Sequence, residues 1–265
     1  MTRISIALFY LFKGICLISL LTACQSDESN TNDWIRMNLK GPVKEITLQK
    51  YKHYQAFQAN QIEQQYSTRF TKKGLITRVI QFFANNQKKW SNYHYSGDSL
   101  WVAEVVETST NNYYPQNYWL YKLDGRGAQK SIRSILLDSS LNFHIDIENN
   151  ATGLATQISY SLAKQAHLLP CKIVKIYDDN NCIKEELTYR LKKQTNDCDA
   201  YSIRSLFEVN EQKDITREQI FDNQGNLQKI VSYRYQYDKN ENWVHKIEYI
   251  GDQSQGVETR KINYY

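Results

Sequence analysis

Strand-length stretches of alternating apolar and polar residues, separated by short polar turns, run through almost the whole 265-residue chain. The clearest is Val231-Ser-Tyr233-Arg-Tyr235-Gln-Tyr237. Side chains of a strand point alternately to its two faces, so this spacing sets Val231 and the three tyrosines on one face. The same pattern predicts strands over Pro42 to Tyr54, Tyr66 to Phe70, Leu75 to Phe83, Trp90 to Tyr95, Leu100 to Glu107, Tyr118 to Leu123, Ile132 to Leu137 and Leu141 to Ile147. It continues over Leu154 to Tyr160, Ile173 to Tyr177, Ile183 to Leu191, Tyr201 to Val209, Ile215 to Phe221, Leu227 to Tyr237, Trp243 to Ile250 and Val257 to Tyr264.

The connections are too short for crossover helices. Turn signals stand at Lys72 to Gly74, Ala84 to Asn86, Ser96 to Asp98, Asp124 to Gly127, Asp138 to Ser140, Glu148 to Asn150, Asp178 to Asn181, Asp222 to Asn226 and Asp238 to Asn242. Loops of this length join antiparallel neighbours. Glycine is scarce, 10 residues against 20 tyrosines. Asparagine, which tolerates the left-handed region, stands where glycine is usual. One stretch, Ser161 to Leu169, reads as a short helix with Ser161 as N-cap and Pro170 as stop. The expected fold is all-β: one long antiparallel meander of about sixteen strands, twisted or curled, over residues 34–265.

Three turns align without gaps: Tyr177-Asp-Asp-Asn-Asn-Cys-Ile183, Phe221-Asp-Asn-Gln-Gly-Asn-Leu227 and Tyr237-Asp-Lys-Asn-Glu-Asn-Trp243. Weaker copies, one residue shorter, begin at Phe70 and Tyr95. The aromatic closes one strand and the Asp carboxylate accepts a backbone N–H two residues on. A left-handed residue reverses the chain, and a large apolar residue opens the return strand. A hairpin of this kind needs neighbours to cover it, so the unit implies an array. These Tyr-Asp turns resemble YD or RHS repeats and MORN-type hairpins. Asn38 to Lys44, Tyr235 to Ile247 and Glu258 to Tyr265 are similar to segments of YD-repeat lipoproteins of Bacteroidota. The resemblance implies a fold and no activity; residues 100–170 depart from the pattern.

The N-terminus carries an address. Arg3 precedes an apolar stretch from Ile4 to Leu21, and Leu21-Thr-Ala-Cys24 follows. That ending resembles the bacterial lipoprotein lipobox, which implies removal of residues 1–23 and a diacylglyceryl group, with palmitate-type acylation, on Cys24. Lys13 interrupts the apolar stretch, which suits a signal peptide better than a membrane helix. Residues 24–33 are a polar tether. Gln25 after the cysteine implies, by the same resemblance, the outer membrane rather than the inner. Loss of Arg3 and Lys13 takes the formal charge from +5 to +3, too small to imply a nucleic-acid partner.

Motifs for chemistry are missing. There is no HExxH, Gly-x-Ser-x-Gly, P-loop or Rossmann glycine pattern, and no His pairs with Cys or His at metal spacing. His94, between Tyr93 and Tyr95, belongs to the opposite strand face from them. No catalytic residue, cofactor or metal is expected. Cys171, Cys182 and Cys198 leave open one disulfide with one free thiol, or three thiols. Tyr233, Tyr235 and Trp243 are the candidate ligand-binding aromatics, an exposed surface for a glycan or protein partner; the rival reading is wall material for the sheet. The expected role is a non-catalytic binding or scaffold lipoprotein. A carrier of lipid or another apolar ligand in a half-barrel is the alternative, and a glycan-acting enzyme is the least favoured.

Overall fold

The structure is a computed structural model. It describes residues 33–83, 87–96, 99–107, 113–123, 128–136, 141–162, 170–190, 198 and 201–265. The expected signal peptide, Cys24, the turns at 84–86, 124–127 and 138–140, and residues 163–169 of the expected helix lie outside the described residues.

Among the described residues sixteen strands form in chain order. They are β1 Val43–Tyr51, β2 Gln64–Phe70, β3 Ile76–Phe82, β4 Lys88–Ser96, β5 Ser99–Glu107, β6 Tyr113–Leu123, β7 Gln129–Leu136 and β8 Leu141–Asn149. The second half is β9 Ala155–Leu162, β10 Pro170–Tyr177, β11 Ile183–Arg190, β12 Tyr201–Val209, β13 Ile215–Asp222, β14 Leu227–Tyr237, β15 Trp243–Ile250 and β16 Gln253–Tyr264. Every predicted strand has its counterpart. Each strand pairs antiparallel with the next, and β1 pairs with both β2 and β16. The meander is therefore closed into a barrel, which leaves no strand edge unpaired.

Two helical turns were not anticipated. Helix α1, Asp33–Arg36, occupies the expected end of the tether, and α2, Tyr54–Gln58, follows β1. The latter is set by His53, whose Nδ1 accepts the Ala56 N–H at 3.1 Å as an N-cap. Ser161 and Leu162, read as the start of a helix, belong to β9.

Among the described residues six hairpin turns share one geometry: Thr71 to Leu75, Asn150 to Leu154, Asp178 to Cys182, Asn210 to Asp214, Asp222 to Asn226 and Asp238 to Asn242. In each, the first residue's N–H bonds the fifth carbonyl and the fourth N–H bonds the first carbonyl. The first side chain accepts from the backbone ahead; Asp178 Oδ1 takes Asn180 N at 2.9 Å and Cys182 N at 2.8 Å. The fourth residue has positive φ: Gly74, Gly153, Asn181, Lys213, Gly225 and Glu241. The copy at Phe70 needs no deletion, because Thr71 plays the Asp role toward Lys73 N and Leu75 N. The expected copy at Tyr95 includes residues 97–98, which lie outside the described residues; Ser96 pairs with Ser99. The turns led by Asn150 and Asn210 do not align with the sequence repeat because Asn149 and Val209 replace the preceding aromatic.

Strand alternation separates two faces. One carries Ile46, Thr68, Leu100, Tyr121, Ile132, Ile145, Ile158, Ile173 and Val231, all buried or nearly so. The other carries Glu45, Arg69, Arg204, Glu208 and Arg217, whose side chains meet as Arg69–Glu45 at 3.1 Å, Arg204–Glu185 at 2.7 Å and Arg217–Glu208 at 3.0 Å. The first face is the barrel interior and the second its outer surface. Cys171 and Cys198 form a disulfide with Cα atoms 6.3 Å apart.

Candidate functional site

The interior is divided by polarity. Across β5 to β8 the register aligns Leu100, Tyr121, Ile132 and Ile145, and across β8 to β10 it aligns Ile147, Ile158 and Ile173. These residues form one cluster, with Tyr93, Tyr95, Trp119 and Tyr160 packed against it. Burial of such side chains contributes about 1.5–3 kcal/mol each. The apolar half of the wall is thus covered by its own aromatics.

The opposite half is charged. Direct cross-strand partners run Gln64, Lys50, Glu258, Lys246 and Tyr235 across β2, β1, β16, β15 and β14. Glu258 is bracketed: Lys50 Nζ lies 2.7 Å from Oε1 and Lys246 Nζ 3.1 Å from Oε2. Burial alone would raise this carboxyl, but Lys246 and Lys50 outweigh it and hold it down at about 2. One step toward the β15–β16 turn, Glu248 faces Gly256. Beside Gly256, which has no side chain, lies a recess of about 180 Å³ whose lining includes Lys50, Lys52, Glu63, Lys246, Glu248 and Glu258.

One step the other way along β16 stands Arg260, 9% exposed. Its guanidinium lies over the Trp243 ring, 3.4 Å from the centroid. Among the described residues no hydrogen-bond acceptor meets it. The nearby Asp214 carboxylate is occupied by Asn38 at 3.1 Å and Tyr237 at 3.0 Å. Burial pulls Arg260 down to about 10, against the upward pull of Glu258 and Asp214.

The aromatics singled out in the sequence line this wall. Tyr233 and Tyr235 are half-buried and Trp243 is 8% exposed. Tyr235 lies 5.9 Å from Tyr237 and 6.2 Å from Trp243 between ring centroids, and its hydroxyl donates to Ile215 O at 2.7 Å. Burial raises the Tyr233 and Tyr235 hydroxyls above their ordinary range. They are interior wall, not an outward aromatic surface. Lys50, Lys246, Glu248, Glu258 and Arg260 were not singled out in the sequence. Their signal is charge on successive inward positions, visible only once the sidedness of β15 and β16 is fixed.

One end of the barrel is crossed by residues 33–40. Asp33 N donates to Gly74 O at 2.9 Å, and its Oδ2 accepts from Ile76 N at 2.6 Å and Tyr95 Oη at 2.7 Å. Farther along, Asn38 donates to Gln212 O at 3.1 Å, and the Lys40 backbone is gripped on both sides by the Asn242 amide at 2.8 Å. The segment thereby ties β2–β4 to the turns after β12 and β14.

No family model matches the chain, and no curated protein matches it. Solved structures share the fold. A porin-like protein from Bacteroides uniformis superposes with a TM-score of 0.53 at 11% identity, covering 89% of this chain and 100% of its own. A porin-like protein from Bacteroides vulgatus gives 0.51 at 11% identity, covering 84% and 98%. The likeness is one of fold. A lipid-spanning barrel turns an apolar band outward. Here Glu45, Arg69, Glu185, Arg204, Glu208 and Arg217 set charge on the outer face of β1, β2 and β11 to β13.

Proposed function

We propose that this chain is a lipid-anchored, non-catalytic binding protein of the outer membrane, and that it takes a small polar ligand in the recess at Gly256. The observation that carries the reading is the recess itself: a hollow beside Gly256 in the wall of a closed barrel, lined by partly buried charged side chains from β1, β15 and β16. The apolar half of the interior is packed against its own aromatics, which favours a polar ligand over the lipid cargo of a carrier. The lipobox at Cys24 and the residue Gln25 support the anchor and its membrane. The outward charge supports a barrel held beside the bilayer rather than through it. The Asp-led turns support kinship with YD-type hairpin arrays at the level of local chemistry.

The test uses full-length protein purified from membranes. Native mass spectrometry is expected to find a retained small molecule that Gly256→Leu no longer holds. A purified protein that turns over a substrate, with loss on one substitution, overturns the non-catalytic reading. Palmitate labelling that survives Cys24→Ala overturns the anchor.

A further inference from the structure

We propose that the recess is a site for a small zwitterion, a molecule carrying an ammonium group and a carboxylate or phosphate a few bonds apart. This rests on the reading of the recess as a binding site and adds the chemistry of what it binds.

The argument is the order of charges along the wall. On β16 the inward positions are Gly256, Glu258 and Arg260; on β15 they include Glu248 and Lys246. The level of Glu258 carries two ammonium groups, Lys50 and Lys246, against one carboxylate, an excess of one positive charge. Neither lysine is exhausted, because an ammonium has three donors and each gives one to Glu258. Arg260 lies beyond, buried and without an acceptor among the described residues, and adds positive potential at that side. An oxyanion entering the recess would meet donors and a positive field here.

The level of Gly256 has the opposite sign. Glu248 is half-buried and forms no ion pair among the described residues. Glu63 and Lys52, which also line the recess, are both exposed and offset each other in charge, so Glu248 sets the sign at this level. Adjacent positions on one strand face are about 7 Å apart. That is the span of a short ligand whose anionic end reaches Lys50 and Lys246 while its ammonium stays with Glu248. A purely anionic ligand would leave Glu248 facing it unpaired, and a cation alone would meet the two lysines. The volume of about 180 Å³ suits a molecule the size of a small amino acid or a phosphoethanolamine group.

Gly256 supplies a clean control. It lies in a strand, and a Cβ added there would find its nearest neighbour, Tyr51 O, at an ordinary 3.8 Å. A larger side chain at this position fills the recess without straining the backbone.

The experiment is calorimetric titration of the full-length protein in detergent with L-alanine, O-phosphoethanolamine, acetate and ethylammonium, each up to about 10 mM. At least one of the two zwitterions is expected to bind tenfold or more tightly than both singly charged probes. Which one does so separates a free amino acid from a lipid-type headgroup. Glu248→Gln is expected to reduce the zwitterion to the affinity of acetate, and Gly256→Leu to abolish binding with the fold retained by circular dichroism. Acetate or ethylammonium binding as tightly as the zwitterions, lost in Gly256→Leu, overturns the zwitterion and keeps the recess as a binding site. No heat with any of the four probes overturns the zwitterion proposal. A retained small molecule that Gly256→Leu still holds overturns the recess reading itself.

Discussion

Lys50 Nζ stands 2.7 Å from Glu258 Oε1, and the two residues are direct cross-strand partners on the pair of strands that closes the barrel. Lys246 holds the other oxygen. Removing the carboxylate leaves two partly buried ammonium groups facing each other. Glu258→Gln is expected to cost about 2 kcal/mol at neutral pH, at the lower end for buried pairs because all three side chains keep some solvent. The pH dependence has a definite sign. The folded carboxyl sits near 2, below its ordinary 4.5, so its contribution is present above about 4.5 and is lost as pH falls toward 2. Urea unfolding at neutral pH and near pH 3 is expected to show this loss in the wild type and its absence in Glu258→Gln.

The turns make a second expectation. Glu241 holds φ of 62° and Lys213 φ of 69°, where the shared turn geometry demands a left-handed residue. A side chain with Cβ is strained there by about 1 kcal/mol, so Glu241→Gly and Lys213→Gly are expected to stabilise the protein by several tenths of that. Gly225, with φ of 84° and open space around it, gives the converse: Gly225→Ala is expected to cost about 1 kcal/mol through backbone strain alone. Midpoints of chemical denaturation compare the three. Equal loss in all of them would refute the account.

Asp33 latches the segment that crosses the barrel end. Its carboxylate accepts from Ile76 N and Tyr95 Oη and pairs with Arg36 at 2.7 Å. In Asp33→Ala these buried donors lose their acceptor, at about 1–3 kcal/mol. Hydrogen exchange is expected to accelerate over residues 33–40 and at Ile76, while the amides of β14 to β16 keep their protection. Acceleration throughout the barrel would show that the segment is integral to the closed sheet rather than latched onto it.

The Cys171–Cys198 bond closes a loop across 27 residues. Chain-entropy arithmetic gives such a bridge about 3.5 kcal/mol. Cys171→Ser combined with Cys198→Ser is expected to lower the unfolding free energy by that order. A shift below about 0.5 kcal/mol would show that the loop is ordered without the bond.

Much of the fold was legible because the information is local. Alternation marked all sixteen strands, and the Asp-led turns announced antiparallel neighbours, since a short turn can lead nowhere else. The helix α2 was hidden for an equally local reason: its cap, His53, follows the end of strand β1 by two residues, and five residues leave no period to detect.

The site was not legible, because sidedness is not local. In β15 the residues Ile247 and Tyr249 alternate with Lys246 and Glu248, and hydropathy alone assigns the first pair to the interior. The structure does the reverse. Helix α2 lies on the outer surface, where Tyr51, Ala56 and Val257 form a buried cluster with Phe57 and Ile247, so apolar residues face outward there. Lys246 and Glu248 turn inward, and Glu258 and Lys50 follow because the register fixes them opposite. The sequence by itself determined which segments are strands and in what order they pair, through alternation and turn chemistry acting within a few residues, while ends such as Tyr113 of β6 and Gln253 of β16 lay beyond the alternating run. Only the tertiary structure decided that the sheet closes, through the pairing of β1 with β16. It also decided which face of each strand looks inward. Both depend on contacts between residues about 200 positions apart, such as Lys50 with Glu258, and no local pattern encodes them.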